Sequence, residues 1–341
     1  AAGNLYNFPV RVESLWMDGF GYPVSIYYGD ILLYYPAILR LFGVTVEKAY
    51  KSYIFLITLC TAAISYRSFL CICKGQAART EKAAGTVKTV KTVKTAKAAG
   101  TTKTERTHRL NAALAAAAYL TAGYRLTNLY VRAAVGEYSA LMFLPLFAAA
   151  IYRIYTFAGD DKKTFLKECF ISATLLAVSV TGLIGTHMLT LLMMIFAFIL
   201  FALIMLRRTF GKEVILTGIL AAIETVLLNL YFIIPFLDYY KNMDMRINHV
   251  VSEGGSIGDL GAGIRRLFFF FDTPFHPGEA SDLVMISPGA ALLIVIPLAA
   301  LIMILKKQAG KGTILIAVLS AIFLFMSTRY FPWNLIGSAA G

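Results

Sequence analysis

The sequence predicts an all-α integral membrane protein, a polytopic bundle of about eight transmembrane helices. The chain is 58% hydrophobic and only 15% charged, whereas a soluble domain is about half apolar and a quarter charged. Apolar runs that approach the roughly 20 residues needed to span a bilayer recur along most of its length. The predicted spans are 49–73, 110–123, 138–157, 168–185, 188–206, 214–237, 288–305 and 313–331.

Charged connectors predict how these spans are oriented. Lysines and arginines follow the third, fifth and seventh spans, and the connector 74–109 carries ten Lys and Arg against two Glu. Basic loops mark the cytoplasmic side of a membrane. All four connectors share that side if every segment crosses, including the short, Ala-rich 110–123. We therefore expect 74–109 in the cytoplasm, and 1–48 and 238–287 outside.

The chain divides into three predicted parts. Residues 1–73 form an outer loop with a surface-lying helix at 31–43, followed by the first span. Residues 74–109 form a Thr- and Lys-rich low-complexity loop that we expect to be disordered. This loop is either a tolerated insertion or a binder of anionic lipid headgroups. Residues 110–341 form the remaining bundle with the large outer loop 238–287. Nucleic-acid binding is not expected, because no folded basic surface accompanies the tract.

The outer block contains candidate carboxylates. Asp18 and Asp30 lie among many aromatic residues that suit the headgroup layer. The sequence GFGYP predicts a fixed turn that positions Tyr22, because glycines permit positive φ and Pro23 restricts the residue before it. The alternative is a hydrated loop that packs on helix ends.

The stretch NLYVRAAVGEYSALMFLPL adds two charges beside an apolar run. If residues 128–138 are helical, Arg132 and Glu137 are about 140° apart around the helix axis and cannot pair. Arg125 would share a face with Arg132, and Pro145 would kink the run. Each charge then needs a partner elsewhere, which is another helix, a ligand or water. The alternative is that Arg132 lies at the membrane boundary and extends its long side chain so that the guanidinium reaches the polar surface.

His187 lies in the turn GTH between two predicted spans. It is either a histidine hydrogen-bonded within a tight turn or a group that contacts an anion or shares a proton. In the long outer loop, Asp272 and His276 have a spacing able to serve a divalent metal, but no second cluster supports a metal site. We assign no metal ligand and no certain cofactor, and a divalent metal stays an open alternative.

Missing motifs exclude other classes. The sequence has no Walker motif, GxGxxG turn, HExxH or nucleophile elbow, which disfavours an ATP-driven pump and a soluble-type hydrolase. Glu224 is the one acid in the middle of a predicted span that would suit a proton- or sodium-coupled carrier. The four cysteines lie in or beside apolar runs and resemble small buried hydrophobes.

Four motifs together resemble a known group. These are FPVRVESLWMDGFGYP with YYGDILLYYPAILRLFGV, YLTAGYRLTNLYVRAAVGEYSALMFLPL, GTHMLTLLM and STRYFPWNLI. They are similar to bacterial GT-C-type membrane proteins, namely the YfhO-like proteins and the group named for a 6-pyruvoyl-tetrahydropterin-synthase-related domain. The resemblance covers most of the chain apart from the Thr- and Lys-rich insert. It implies a GT-C-like fold in the bacterial plasma membrane and sugar transfer from a polyprenyl-phosphate donor to a cell-envelope polymer or lipid on the outer face.

Glycosyl transfer needs a carboxylate to accept a proton and cations to steady a departing phosphate. Asp18, Asp30 and Glu137 are the predicted catalytic carboxylates. The predicted substrate-binding residues are Arg125, Arg132, His187 and Tyr22. The resemblance also implies a catalytic Asp just after a helix preceding residue 1, which has no counterpart here, so an inactive fragment is one alternative. A transporter or flippase for a lipid-linked precursor and an envelope-assembly protein are the others.

Overall fold

A computed structural model describes residues 10–13, 18–19, 21–83, 94–156, 162–242, 289–306, 311–328 and 330–332. The described chain is all-α, as predicted, with no strand among these residues and one isolated bridge between Glu13 and Tyr22. In chain order the helices are α1 (Val24–Tyr27), a 3-10 turn (Ile31–Leu33), α2 (Tyr34–Leu41), α3 (Val46–Ala83), α4 (Lys94–Leu120), α5 (Gly123–Tyr130), α6 (Val135–Ala140), α7 (Leu144–Thr156), α8 (Lys162–Ile184), α9 (Met188–Ile204), α10 (Leu206–Thr209), α11 (Lys212–Leu228), α12 (Leu230–Asn242), α13 (Ala290–Leu305) and α14 (Lys311–Met326).

Three of the described helical segments are long and apolar enough to cross a membrane: Val46–Gln76, Val135–Thr156 and Lys162–Ile184. A fourth span is formed if α11 and α12, which meet at an angle of 75°, count as one. The other apolar helices are shorter, so the predicted total of eight spans is not reached by length and composition. The predicted helix at 31–43 is present as the apolar helix Ile31–Leu41.

The disorder predicted for 74–109 is wrong for residues 74–83 and 94–109, which continue α3 and α4 as helix. Ala, Lys, Arg and Gln have good helix propensity, and an apolar helix on either side supplies the nucleus that a short isolated helix lacks. The two helices are joined where Glu105 Oε1 accepts from Lys74 Nζ at 2.9 Å and from Arg109 Nε at 3.0 Å. This pairing places the tract in an antiparallel helical hairpin.

The run from 128 to 138 is not one helix. The angle of about 140° between Arg132 and Glu137 assumed a single helix and therefore does not apply. Helix α5 ends at Tyr130 and α6 begins at Val135, with Ala133 at a φ of +48° between them. Non-glycine residues rarely adopt this left-handed conformation. Near Pro145, the turn 141–143 separates α6 from α7 within the segment Val135–Thr156, and Pro145 lies in the first turn of α7, where proline is tolerated.

The chain forms two compact units. Unit 1 includes the described residues of Ala1–Leu120 and Val135–Met243, and unit 2 includes those of Thr121–Ala134 and Asp244–Gly341. Within unit 2, α13 packs against α14. Within unit 1, α8 packs along α7 and α11, and α3 packs along α4 and α7.

Unit 1 has a basic end, which we define by Lys74, Glu105, Arg109, Arg153, Glu168 and Arg208. The Arg153 guanidinium donates to the Glu168 carboxylate, to Ser172 Oγ at 3.3 Å and to Cys71 Sγ at 3.9 Å, and so joins α7 to α8 and α3. Arg208 donates to the Tyr155 carbonyl at 3.3 Å. These contacts gather the ends of several helices and define one pole of the unit.

Candidate functional site

The opposite pole of unit 1 is assembled by three glycines, which we call the glycine junction: Gly29, Gly136 and Gly185. A Cβ on Gly29 would stand closer than 3.0 Å to the Ile184 carbonyl oxygen and the Gly185 backbone. A Cβ on Gly136 would lie 2.7 Å from the Thr186 carbonyl oxygen. Because none of the three has a side chain, the segments around residues 29, 136 and 185 approach backbone to backbone.

His187 follows this junction and begins α9. Its Nδ1 accepts the Thr190 backbone N–H at 3.2 Å and lies 2.8 Å from Thr190 Oγ1. Accepting an N–H fixes the neutral ring in the tautomer that carries its proton on Nε2. That Nε2 lies 4.0 Å from Glu137 Oε1. His187 is therefore hydrogen-bonded within its turn, as one of the two interpretations predicted, and its other nitrogen faces a carboxylate. Its role in contacting an anionic headgroup or sharing a proton stays a prediction.

Glu137 and His187 are both mostly buried, with side chains 16% and 12% exposed. The first outer block reaches them through Tyr28, whose ring centroid lies 5.9 Å from that of His187. Glu137 is therefore close to the N-terminal segment that contains Tyr28. The approach of Tyr28 and of Glu137 to His187 is the geometric core of the candidate site.

Asp30 lies two residues beyond Tyr28 and is half-buried. Burial raises the pKa of its carboxyl, and this outweighs the opposing effects of the Ser25 hydroxyl, which donates to it, and of nearby Arg11. A carboxylate whose pKa is raised toward neutrality is better suited to accept and return a proton. Asp30 therefore has the stronger physical case among the predicted acids of the outer block.

Arg11, Tyr34 and Tyr231 also belong to this site and were missed in the sequence. Arg11 Nη2 donates to the Tyr231 carbonyl at 2.8 Å, across 220 positions, and the Tyr34 hydroxyl accepts the Val10 N–H at 3.1 Å. Burial, followed by the charge of Asp30, raises the pKa of Tyr34. One signal in the sequence could have identified Arg11, because it is the sole Lys or Arg before Arg40. Nothing local to the sequence marks Tyr231.

Asp18 and Tyr22 lie on a small hairpin. Glu13 and Tyr22 exchange backbone hydrogen bonds of 2.9 and 3.0 Å, and Gly19 and Gly21 have φ of +91° and +87°, which confirms the predicted glycine turn. Asp18 is exposed at a φ of +55°, a conformation that Asp tolerates better than most residues. Their catalytic and binding roles stay predictions.

Arg125 and Arg132 belong to unit 2, unlike Glu137 and His187. Arg125 is 3% exposed. Arg132 Nη1 donates to Asn128 Oδ1 at 2.7 Å, within the same unit. The prediction that the two arginines share one helix face is wrong, because α5 ends at Tyr130, before Arg132. Their membership in one site with Glu137 stays a prediction.

Asp272, His276 and the rest of the loop 243–288 lie outside the described residues. Within the part of the chain that the structure describes, no group of three or more His, Cys, Asp or Glu side chains could hold a metal ion.

These features define the class of protein as an α-helical chain with three or four helices able to span a membrane and a polar cluster at one pole of unit 1. Comparison with protein families, with curated proteins and with solved structures finds no match to the chain.

Proposed function

We propose that the protein is a GT-C-like glycosyltransferase of the bacterial plasma membrane. It transfers a sugar from a polyprenyl-phosphate donor to a cell-envelope acceptor on the outer face. One observation carries the proposal: the carboxylates Asp30 and Glu137 and the cation Arg11 belong to the pole of unit 1 opposite its basic end. Since basic ends lie in the cytoplasm, this pole would face outward, where such donors are used.

The residues present suit the chemistry. An acceptor hydroxyl must lose its proton as the new glycosidic bond forms, and a carboxylate is a suitable general base. Glu137 faces the Nε2 proton of His187, while Asp30 is half-buried with a raised pKa. The leaving phosphate needs a cation, and arginine binds phosphate oxygens in a bidentate manner. Arg11 fills this role within unit 1, with Tyr22 as a further predicted substrate contact.

The test is sugar transfer by the protein in membranes supplied with labelled polyprenyl-phosphate sugars. We expect Glu137→Gln or Asp30→Asn to lower the transfer rate by roughly 10²–10⁴-fold, the usual loss of a general base, with normal expression. Arg11→Gln should weaken donor binding. Asp18→Asn tests the exposed carboxylate of the hairpin.

Matched controls make the same chemical change elsewhere. Glu105→Gln alters the exposed carboxylate of the basic end, and Asp238→Asn alters an exposed acid on α12 that accepts from Asn242 at 2.8 Å. Both should transfer sugar at the unaltered rate. If Glu137→Gln and Asp30→Asn also do so, the assigned site is wrong.

A second candidate function, a transporter or flippase for a lipid-linked precursor, is favoured by the broken helix α11–α12. The two halves meet at 75° around Asn229, which is fully buried and donates to Thr181 Oγ1 at 2.8 Å and to the Thr225 carbonyl at 2.7 Å. Discontinuous helices line substrate sites in many transporters. Movement of a labelled lipid-linked sugar across proteoliposomes, without sugar transfer, would favour this candidate over the enzyme.

A further inference from the structure

The helical hairpin of α3 and α4 carries exposed apolar ridges that end in cations. On α3, Leu59, Ala63 and Arg67 are exposed and follow one another at four-residue spacing, the spacing of a helix ridge. Lys74 follows Arg67 by seven residues and so shares its face. The ridge therefore changes from apolar to basic along its length.

Helix α4 repeats this arrangement in the opposite chain direction. Leu114 and Leu110 are 61% and 58% exposed, and the exposed Arg106 precedes Leu110 by four residues. Arg109 adds a second cation one turn from Arg106. Both ridges thus have their apolar part on the membrane-spanning side and their cations toward the basic end.

The basic ends of the α3 and α4 ridges meet at Glu105. This one carboxylate accepts from both Lys74 and Arg109 through the same oxygen, and the exposed Arg67 and Arg106 lie on the same two ridges. Lysine and arginine have several N–H donors each, and the side chains of Lys74 and Arg109 are 47% and 64% exposed. The result is a net positive surface at the point where the apolar ridges end.

We propose that this surface, which we call the hairpin lipid site (Leu59, Ala63, Arg67, Lys74, Arg106, Arg109, Leu110 and Leu114), binds a phospholipid with an anionic headgroup. The acyl chains lie along the leucines, and the headgroup phosphate lies against the arginines. Basic clusters directly beside a membrane span attract anionic lipids. A zwitterionic headgroup does not offset the excess positive charge. A soluble phosphate leaves the apolar ridges uncovered, so the combined surface favours a lipid.

The site is tested on the purified protein in detergent by the rise in thermal unfolding temperature that a bound ligand causes. The probes are dioleoyl phosphatidylglycerol, dioleoyl phosphatidylcholine and glycerol phosphate. We expect stabilisation by phosphatidylglycerol alone. Arg67→Gln with Arg106→Gln should weaken its apparent affinity about 30-fold, since each cation near an anionic surface contributes about 1 kcal/mol. These substitutions leave the bonds of Glu105 in place.

The matched control is Lys48→Gln with Lys51→Gln, which removes the same charge from exposed positions at the other end of α3 and should bind phosphatidylglycerol normally. Arg67→Lys with Arg106→Lys should restore most of the affinity. Three results would overturn the site: equal stabilisation by phosphatidylcholine, a full effect of glycerol phosphate alone, or unchanged affinity in the glutamine variant.

Discussion

Gly29→Ala should destabilise the protein strongly, because the glycine junction leaves no room for a methyl group. The added Cβ would stand closer than 3.0 Å to the Ile184 carbonyl oxygen and the Gly185 backbone. Both neighbours are backbone atoms at the end of α8, so they cannot rotate away as a flexible side chain would. Overpacking of a well-packed site costs roughly 1–3 kcal/mol and occasionally more, and we expect about 3 kcal/mol here. Gly29 is not helical, so alanine brings no gain in helix propensity to offset this.

Gly218→Ala is the matched control. Gly218 lies inside α11 with nothing within 4 Å of an added Cβ, and alanine is better than glycine in a helix interior by about 0.5–1 kcal/mol. Thermal unfolding in detergent, at one fixed heating rate, should show a fall on the order of 5–10 °C for Gly29→Ala and no fall for Gly218→Ala. A melting temperature of Gly29→Ala within about 1 °C of the unaltered protein would refute the backbone-to-backbone contact.

Three further predictions concern polar groups. His187→Ala should lose about 1 kcal/mol of stability with its helix cap, whereas His187→Asn, which caps helices well, should lose little; equal losses in thermal unfolding would rule out the capping role. Because burial raises the pKa of Asp30, its contribution favours the fold below the usual pKa of a free aspartate and is lost as pH rises through the raised value. Asp30→Asn should therefore be at least as stable as the unaltered protein at pH 7 and lose that advantage in acid, which melting curves across pH would check. Hydrogen bonds from Lys74 and Arg109 lower the pKa of Glu105, so Glu105→Gln should cause a small loss of stability that disappears in acid and at high salt; a loss that persists in both would contradict this.

Hydropathy predicted the eight apolar segments as helices because each is a local property of 14 to 25 residues. Three or four of the described helices are long and apolar enough to span a membrane, so the total of eight spans stays a prediction. Hydropathy missed the helical state of residues 74–83 and 94–109. That tract is polar and repetitive, and its helical state depends on nucleation by α3 and on the bonds of Glu105. These are contacts between residues distant in sequence, which composition does not report.

The candidate site was predicted only in part, because sequence patterns report local features and not contacts between distant residues. Glu137 and His187 stood out as charged or titratable groups beside apolar runs, and the structure brings them to within 4.0 Å. The break between α5 and α6 was not visible, because residues 131–134 contain neither glycine nor proline. Arg11 was overlooked since its partner, the Tyr231 carbonyl, lies 220 positions away.

Helix α4 shows what hydropathy alone does not report about the segment 110–123. Its apolar part, residues 110–120, is rich in alanine and is not among the helices able to cross a membrane by composition. Yet Glu105 lies at the basic end, while the Tyr119 hydroxyl donates to the Leu141 carbonyl at 2.5 Å, at the break between α6 and α7. Leu141 lies in the first third of the span Val135–Thr156, whose other end carries Arg153. Helix α4 thus runs alongside a helix able to span the membrane and toward the pole of His187. Small residues let helices approach closely in a membrane, and Ala112 and Ala116 of this segment are buried. This packing suits a segment of weak hydropathy, and the crossing of 110–123, which the alternation of basic connectors requires, stays a prediction.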